Sequence, residues 1–163
     1  MRHQVLLGAP APLTVVTDEV GTVRAAGFGD PSTVLLLLPA DVGSVTPVQD
    51  PAVACAWQRY LDGDVAALND VSVQQRASPV QAQVWDALRS IPPGEPVSYS
   101  EMAVLIGRPR AARAVGAACG ANRIAPFIPC HRVVAAGGSL GGYGYGLHLK
   151  RWLLDHEAAG LTL

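Results

Sequence analysis

Cysteine is scarce: the chain carries Cys55, Cys119 and Cys130 and no others. Three cannot build a disulfide framework, and none stand two residues apart as metal-binding or redox pairs do. The histidines, His3, His131, His148 and His156, do not combine with them at a zinc spacing. The sequence therefore predicts no metal, and thiols kept in a reducing compartment. Long apolar runs are also missing. The run at residues 34–38 has five residues, against the roughly 18 needed to span a membrane. The stretch Met1-Arg2-His3-Gln4 lacks the apolar segment of a signal peptide. The expectation is a cytoplasmic protein with no membrane partner. A strong charge of either sign is absent as well, the net being −1. That balance hides an asymmetry. Residues 1–76 hold 4 basic and 8 acidic side chains, whereas residues 77–163 hold 8 and 5. The second half is basic enough to meet a few phosphates.

What is present suffices for a core: 50% of the 163 residues are hydrophobic, enough for one medium domain or two small ones. Leu13-Thr14-Val15 and Val20-Gly21-Thr22-Val23 alternate around Asp18, Glu19 and Gly21, which predicts a hairpin. Residues 32–38 fit either a short helix capped by Ser32 or a buried strand. Residues 39–50 read as a loop. Asp50-Pro51 opens a helix with Val53, Trp57, Tyr60 and Leu61 on one face, closed by Gly63. Residues 63–77 read as a linker, which sets a boundary between domains 1–76 and 77–163.

Beyond it, Ser78-Pro79 caps and opens a helix with Val80, Val84, Trp85, Leu88 and Ile91 as its apolar stripe. Ser98 with Glu101 is a capping box for the next helix, which ends at Gly107. Pro109 is predicted to open a third helix, running to about residue 120. Two short helices joined by a glycine turn make a helix-turn-helix. A last helix covers about residues 148–157 and buries Leu149, Trp152 and Leu153.

The chemistry concentrates in Pro129-Cys130-His131-Arg132. A thiol beside an imidazole is a potential nucleophile–base pair. A buried cysteine that merely fills space is the competing reading. The glycine-rich run at 137–146 lets backbone approach a ligand. The helix at 109–120 is nearly bare: Ala111, Ala112, Ala114, Gly116, Ala117 and Ala118 leave only Arg110 and Arg113 as long side chains. Such a helix either packs tightly in a core or fits a minor groove about 6 Å wide.

With Asn122, Val133-Val134, Gly141-Gly142-Tyr143-Gly144, Lys150 and Leu153-Leu154-Asp155-His156-Glu157 around it, and with Ser98-Tyr99 and Arg113-Ala114-Val115-Gly116 upstream, the segment resembles the O-6-alkylguanine-DNA alkyltransferases. The likeness runs from about Ser78 to Glu157. It implies an α+β fold: a small N-terminal α/β domain with a hairpin-containing, ribonuclease-H-like sheet, and a mostly helical C-terminal domain with a winged-helix or helix-turn-helix motif. It implies stoichiometric alkyl transfer from the guanine oxygen to Cys130, without a cofactor, by a monomer. The partner is double-stranded DNA carrying O-6-alkylguanine, with O-4-alkylthymine as a second candidate lesion.

In that resemblance His131 is the base, acting through a water, and Glu157 orients it. Asn122 ties the helix-turn-helix to the cysteine segment. Tyr99 donates to the departing base and contacts a phosphate. Tyr143 packs on the base. The carbonyls of Cys130 and Val133 read the exocyclic amine, the Gly144 amide faces the guanine oxygen, Tyr145 borders the pocket and Lys150 assists near it. DNA contacts fall to Ala111, Ala112, Ala114 and Gly116 on the thin helix, to Arg110, to Arg132 as a phosphate ligand, and to Arg113, which fills the place of the flipped nucleotide. Two positions depart from the family's pattern: Arg123 stands where proline follows the asparagine, and Tyr145 where glycine is common. A non-catalytic relative that binds alkylated DNA and signals to another pathway is the alternative, although such relatives lack the cysteine.

Overall fold

The computed structural model describes residues 1–161 and divides the chain into two compact units. The first comprises Met1–Gln75 with Arg123–Phe127, and the second Arg76–Asn122 with Ile128–Leu163. Residues 123–127 thus belong to the first unit, although they lie in the second half of the sequence. The fold is α+β.

In the first unit, β1 (Arg2–Leu6), β2 (Leu13–Thr17), β3 (Val23–Phe28) and β4 (Thr46–Pro47) form one sheet in the order β3-β2-β1-β4. The β1–β2 and β2–β3 pairs are antiparallel and β1–β4 is parallel. Strand β2 lies at the centre and every one of its residues is buried. The expected hairpin is present, but residues 18–22 are its turn. The Asp18 side chain accepts from the Val20 and Thr22 amides there, and Val20 points into solvent.

Strand β1 went unforeseen because its central inward residue, Gln4, is polar. It is buried by trading hydrogen bonds with the Asp50 backbone, amide to Oε1 and Nε2 to carbonyl. Residues 32–38 resolve as helix: α1 (Pro31–Val34), capped by Asp30 rather than Ser32, runs into a 3-10 turn at Leu35–Leu37. Helix α2 (Pro51–Leu61) starts at the Asp50 cap. Its Trp57 meets Phe28 of β3 at 6.2 Å between ring centroids. The stretch read as a linker is folded. It holds a 3-10 turn at Ala67–Asp70, buries Val65, Leu68 and Val71, and bridges Val73 to Val23. Residues 123–127 run beside β3, with a parallel bridge between Ala26 and Ile124.

The second unit packs α3 (Pro79–Ser90), α4 (Tyr99–Leu105), α5 (Ala112–Gly120) and α6 (Leu147–Gly160) around Val84, Leu88, Met102, Val115 and Leu153. Capping boxes close the starts of both α3 (Ser78 with Gln81) and α4 (Ser98 with Glu101). The Trp85 indole donates to the Ala118 carbonyl at 2.8 Å and joins α3 to α5. Helix α5 begins at Ala112, three residues after Pro109. The chain leaves α4 through Gly107 at φ +73°, and the Ala111 amide closes a turn on the Arg108 carbonyl first. Strands β5 (Val97–Ser98) and β6 (Val133–Val134) pair in parallel. They place the segment just after Cys130 beside the start of α4. Among the described residues no helix is long and apolar enough to cross a membrane.

Candidate active site

Pro129 brings the chain in at φ −84°, ψ 66°, and Cys130–Arg132 then form a single 3-10 turn. The Cys130 amide donates to the Ile128 carbonyl at 2.9 Å and the Arg132 amide to the Pro129 carbonyl at 3.0 Å. From this tight turn the Cys130 side chain goes to Asn122, while those of His131 and Arg132 both reach Glu157.

The Cys130 sulfur, half-buried, receives the Asn122 amide: Nδ2 donates to Sγ at 3.3 Å and to the Ile128 carbonyl at 2.8 Å. Asn122 directly follows the residue that caps the end of α5, so one side chain anchors the thiol to the end of the helix-turn-helix. Burial pushes the Cys130 thiol up, and the Asn122 hydrogen bond and the Lys150 charge pull it down.

His131 and Glu157 are fully buried and meet at 2.7 Å between Nε2 and Oε1. That bond fixes the orientation of the ring. It leaves Nδ1, which is buried and has no hydrogen-bond partner among the described residues. Burial alone would raise the Glu157 carboxyl. The charges and hydrogen bonds of His131 and Arg132 outweigh it and hold the group down at about 2.

Arg132 departs from its expected role. A phosphate contact needs an exposed side chain, and Arg132 is 3% exposed. Its Nε and Nη2 grip both Glu157 oxygens at 3.0 Å, and Nη1 donates to the Ile91 carbonyl at 2.8 Å. A guanidinium sunk in this way cannot reach DNA, and it serves as the second partner of the acid that orients His131. No signal in the sequence distinguishes this from a surface arginine, because the carboxylate it meets lies 25 residues further on.

The other expected site residues fall on the start of α4, the glycine loop and α6. Lys150 is fully buried, with Nζ donating to the Val133 carbonyl at 2.7 Å and the Gly142 carbonyl at 3.0 Å. The Tyr99 hydroxyl hydrogen-bonds the Gly142 backbone; burial raises this phenol first, and the Cys119 and Cys130 sulfurs raise it further. A Cβ on Gly141 (φ +71°) would stand 2.9 Å from the Tyr99 hydroxyl, so only glycine fits there. Tyr143 and Tyr145 meet edge to face at 5.6 Å. Burial raises the Tyr145 phenol and the Cys130 sulfur adds to it, which puts Tyr145 in the electrostatic neighbourhood of the thiol. Gly144 lies exposed between the two rings in sequence, with open space where a side chain would be. Cys119 of α5 shares the cluster unforeseen. Burial, then the Cys130 charge, push its thiol up to about 12.

On α5 the exposed positions are Arg113, Ala117 and Gly120, with Arg110 exposed just before it; Ala111, Ala112, Ala114 and Gly116 are half-buried. The Gly116 backbone lies against the Tyr99 ring, which is 3.8 Å from where a Cβ would stand. Arg123, outside this cluster, donates its amide to Gln75 Oε1 at 3.0 Å, a bond proline could not make, and its guanidinium to the Leu37 carbonyl at 2.9 Å.

A half-buried thiol held by Asn122 thus lies next in sequence to a buried imidazole whose Nδ1 has no hydrogen-bond partner among the described residues, with a carboxylate held by both His131 and Arg132. Residues 79–159 match the family model of the 6-O-methylguanine DNA methyltransferase DNA-binding domain. The chain is 39% identical to a methylated-DNA–protein-cysteine methyltransferase of Mycobacterium bovis over 91% of this chain and 95% of that one. It is 47% identical to one of Salmonella typhimurium over 60% of this chain and 57% of the relative, so it spans little more than half of that relative's length. Among solved structures, Mycobacterium tuberculosis OGT in complex with DNA superposes with a TM-score of 0.82 at 34% identity, covering 98% of this chain and 94% of the other. The chain belongs to the methylated-DNA–protein-cysteine methyltransferase family.

Proposed function

We propose that this protein repairs DNA by direct reversal, moving the alkyl group of O-6-alkylguanine onto the Cys130 sulfur. The observation that carries the reading is the pairing of Asn122 Nδ2 with Cys130 Sγ in front of the buried His131–Glu157 bond. In this mechanism Cys130 gives its proton to His131 Nδ1 through a water. The new imidazolium is stabilised by the Glu157 carboxylate, itself fixed by Arg132. The thiolate attacks the alkyl carbon, the carbon–oxygen bond breaks, and its electron pair leaves with the guanine oxygen. Tyr99 donates a proton to the departing ring. The product is a thioether on Cys130, which no group in the site can hydrolyse, so one molecule repairs one lesion.

The target oxygen is buried in the duplex stack, and the nucleotide must be flipped out to reach sulfur. Helix α5, with its small residues and the exposed Arg113, is the proposed minor-groove element, and Arg113 fills the vacated stack. The Cys130 and Val133 carbonyls and the Gly144 amide read guanine, with Tyr143 on its face and Tyr145 at the rim. Residues 77–163 thus hold the proposed DNA-binding and transfer functions, with residues 1–76 as an accompanying α/β domain. Cys55, Cys119 and Cys130 are all free thiols, which supports work in the reducing cytoplasm.

Mass measurement after mixing with duplex DNA containing O-6-methylguanine tests the reading. One methyl group per protein is expected, mapped to the Cys130 peptide and absent in Cys130→Ala. DNA binding without any mass gain would instead establish the non-catalytic alternative. Label on Cys119 or Cys55 would break the assignment of the nucleophile.

A further inference from the structure

Trp85 lies in the apolar stripe of α3 and is 5% exposed. Filling the core accounts for its ring but not for its N–H, a polar group that needs an acceptor once buried. In the first unit the Trp57 indole nitrogen is buried with no hydrogen-bond partner among the described residues. The Trp85 indole has one. It donates to the Ala118 carbonyl of α5 at 2.8 Å, in a buried bond between residues 33 positions apart.

Ala118 stands at the point where α5 stops. The Ala121 amide still reaches four residues back, to the Ala117 carbonyl at 3.0 Å, as in a continuing α-helix. The Asn122 amide reaches three back, to the Cys119 carbonyl at 3.2 Å. That is the tightened last turn with which helices close. The carbonyl four residues before Asn122 is that of Ala118. The indole therefore sits at the acceptor that the Asn122 amide would use if α5 ran on by one residue. From the tightened turn the Asn122 side chain reaches the Ile128 carbonyl at 2.8 Å and the Cys130 sulfur at 3.3 Å. Trp85, Ala118, Asn122, Ile128 and Cys130 all belong to the second unit.

We propose that Trp85 is a positioning residue for alkyl transfer: by holding the Ala118 carbonyl, its indole N–H fixes the end of α5, and with it the Asn122 side chain on the Cys130 sulfur. Trp85 acts through Asn122 and not on the thiol itself. The proposal deepens the alkyl-transfer reading and rests on it for its purpose. Its test does not require DNA, so failure here and failure of methyl transfer are separate results.

The test is the rate of Cys130 carbamidomethylation by iodoacetamide, followed on the Cys130 peptide as a function of pH, in wild type, Trp85→Phe, Asn122→Ala and the double variant. Phenylalanine keeps an aromatic ring in the core and removes the N–H. A donor from Asn122 on the sulfur favours the thiolate, which is the form that reacts. Trp85→Phe should therefore slow Cys130 about two- to tenfold at neutral pH, the range one hydrogen bond supports, and approach the wild-type rate at high pH. In the Asn122→Ala background the same substitution should change nothing, because the two residues act along one path. His131, Tyr99, Cys119, Tyr145 and Lys150, the other ionisable groups next to the thiol in sequence or coupled to it electrostatically, are present in every variant and cancel in the cycle. A slowing that is equal in both backgrounds, or equal at every pH, would leave Trp85 as packing alone and overturn the proposal. So would a folded Trp85→Phe protein with the wild-type profile. A second measurement leaves Trp85 in place. Hydrogen exchange of its indole N–H, read by nitrogen-15 NMR, should be faster in Asn122→Ala than in wild type, since coupling between two sites is reciprocal. Equal exchange in the two proteins would refute the link.

Discussion

Glu157 is held by His131 and Arg132 at once, and its ionisation is therefore tied to folding. Its carboxyl is lowered to about 2 in the folded protein despite burial, through His131 and Arg132, against about 4.3 in an unfolded chain. The stabilisation is fully present above the unfolded value and is lost as pH falls toward 2. A shift of this size corresponds to about 3 kcal/mol. Removing one member of a buried ionic network costs about the same, roughly 3–5 kcal/mol. Urea unfolding of Glu157→Gln should thus show a loss of about 3 kcal/mol at pH 7 that shrinks below about pH 4.5; a difference constant down to pH 2 would sink the linkage. Tyr145 carries a second prediction at this scale. Its ring, edge-on to Tyr143 and close to the thiol, stands where the family commonly has no side chain. Overpacking a fitted site costs about 1–3 kcal/mol, or roughly ten- to a hundredfold in rate. Transfer of benzyl should be slower than methyl by that factor, and Tyr145→Gly should speed benzyl selectively. An equal response of both substrates would show that Tyr145 does not gate the alkyl path.

At the scale of elements, what local chemistry encodes was legible and what tertiary contacts decide was not. The Ser78-Pro79 and Ser98…Glu101 caps are short-range signals, and both helices begin where they direct. Pro109 is an equally good local signal, yet α5 starts later, because Gly107 and the turn at Ala111 must first redirect the chain. The β1 strand and the folded stretch at 63–77 depend on Gln4 meeting Asp50 and on Val73 meeting Val23, pairs about fifty residues apart. The same division runs through the site. The Cys130–His131 dipeptide shows itself, whereas burial of Arg132 against Glu157 and the position of Cys119 emerge only from packing. Helix α5 makes its own prediction. Arg113 is exposed and touches none of the Cys130 cluster's hydrogen bonds. Arg113→Ala should slow repair of duplex DNA by at least tenfold while leaving the reaction with free O-6-methylguanine within about twofold, since only the duplex requires unstacking. Equal losses on both substrates would assign Arg113 to the folding of α5.

For the whole molecule, the fold limits how strongly salt can act on DNA binding. Eight basic residues lie after position 77, and the count alone would allow eight phosphate contacts. The structure withdraws two: Arg132 is spent on Glu157 and Lys150 is fully buried. Arg89 is half-buried, and burial together with the Arg132 charge pulls its guanidinium down. Five remain exposed: Arg108, Arg110, Arg113, Arg123 and Arg151. In the first half, Arg24 and Arg59 pair with Asp18, Asp64 and Asp70, and Arg2 and Arg76 are exposed. Each neutralised phosphate contributes about −0.9 to the slope of log affinity against log salt. Five contacts give a slope of about −4.5 at most, or a loss of up to about 500-fold for a fourfold rise in salt. Arg113, if it enters the stack, contacts base rather than phosphate and makes the slope shallower still. Titrating labelled duplex at 50 to 200 mM salt measures it directly. A slope near −4 or shallower fits binding through the exposed arginines after position 77. A slope steeper than about −5 would require cations from residues 1–76 at the DNA.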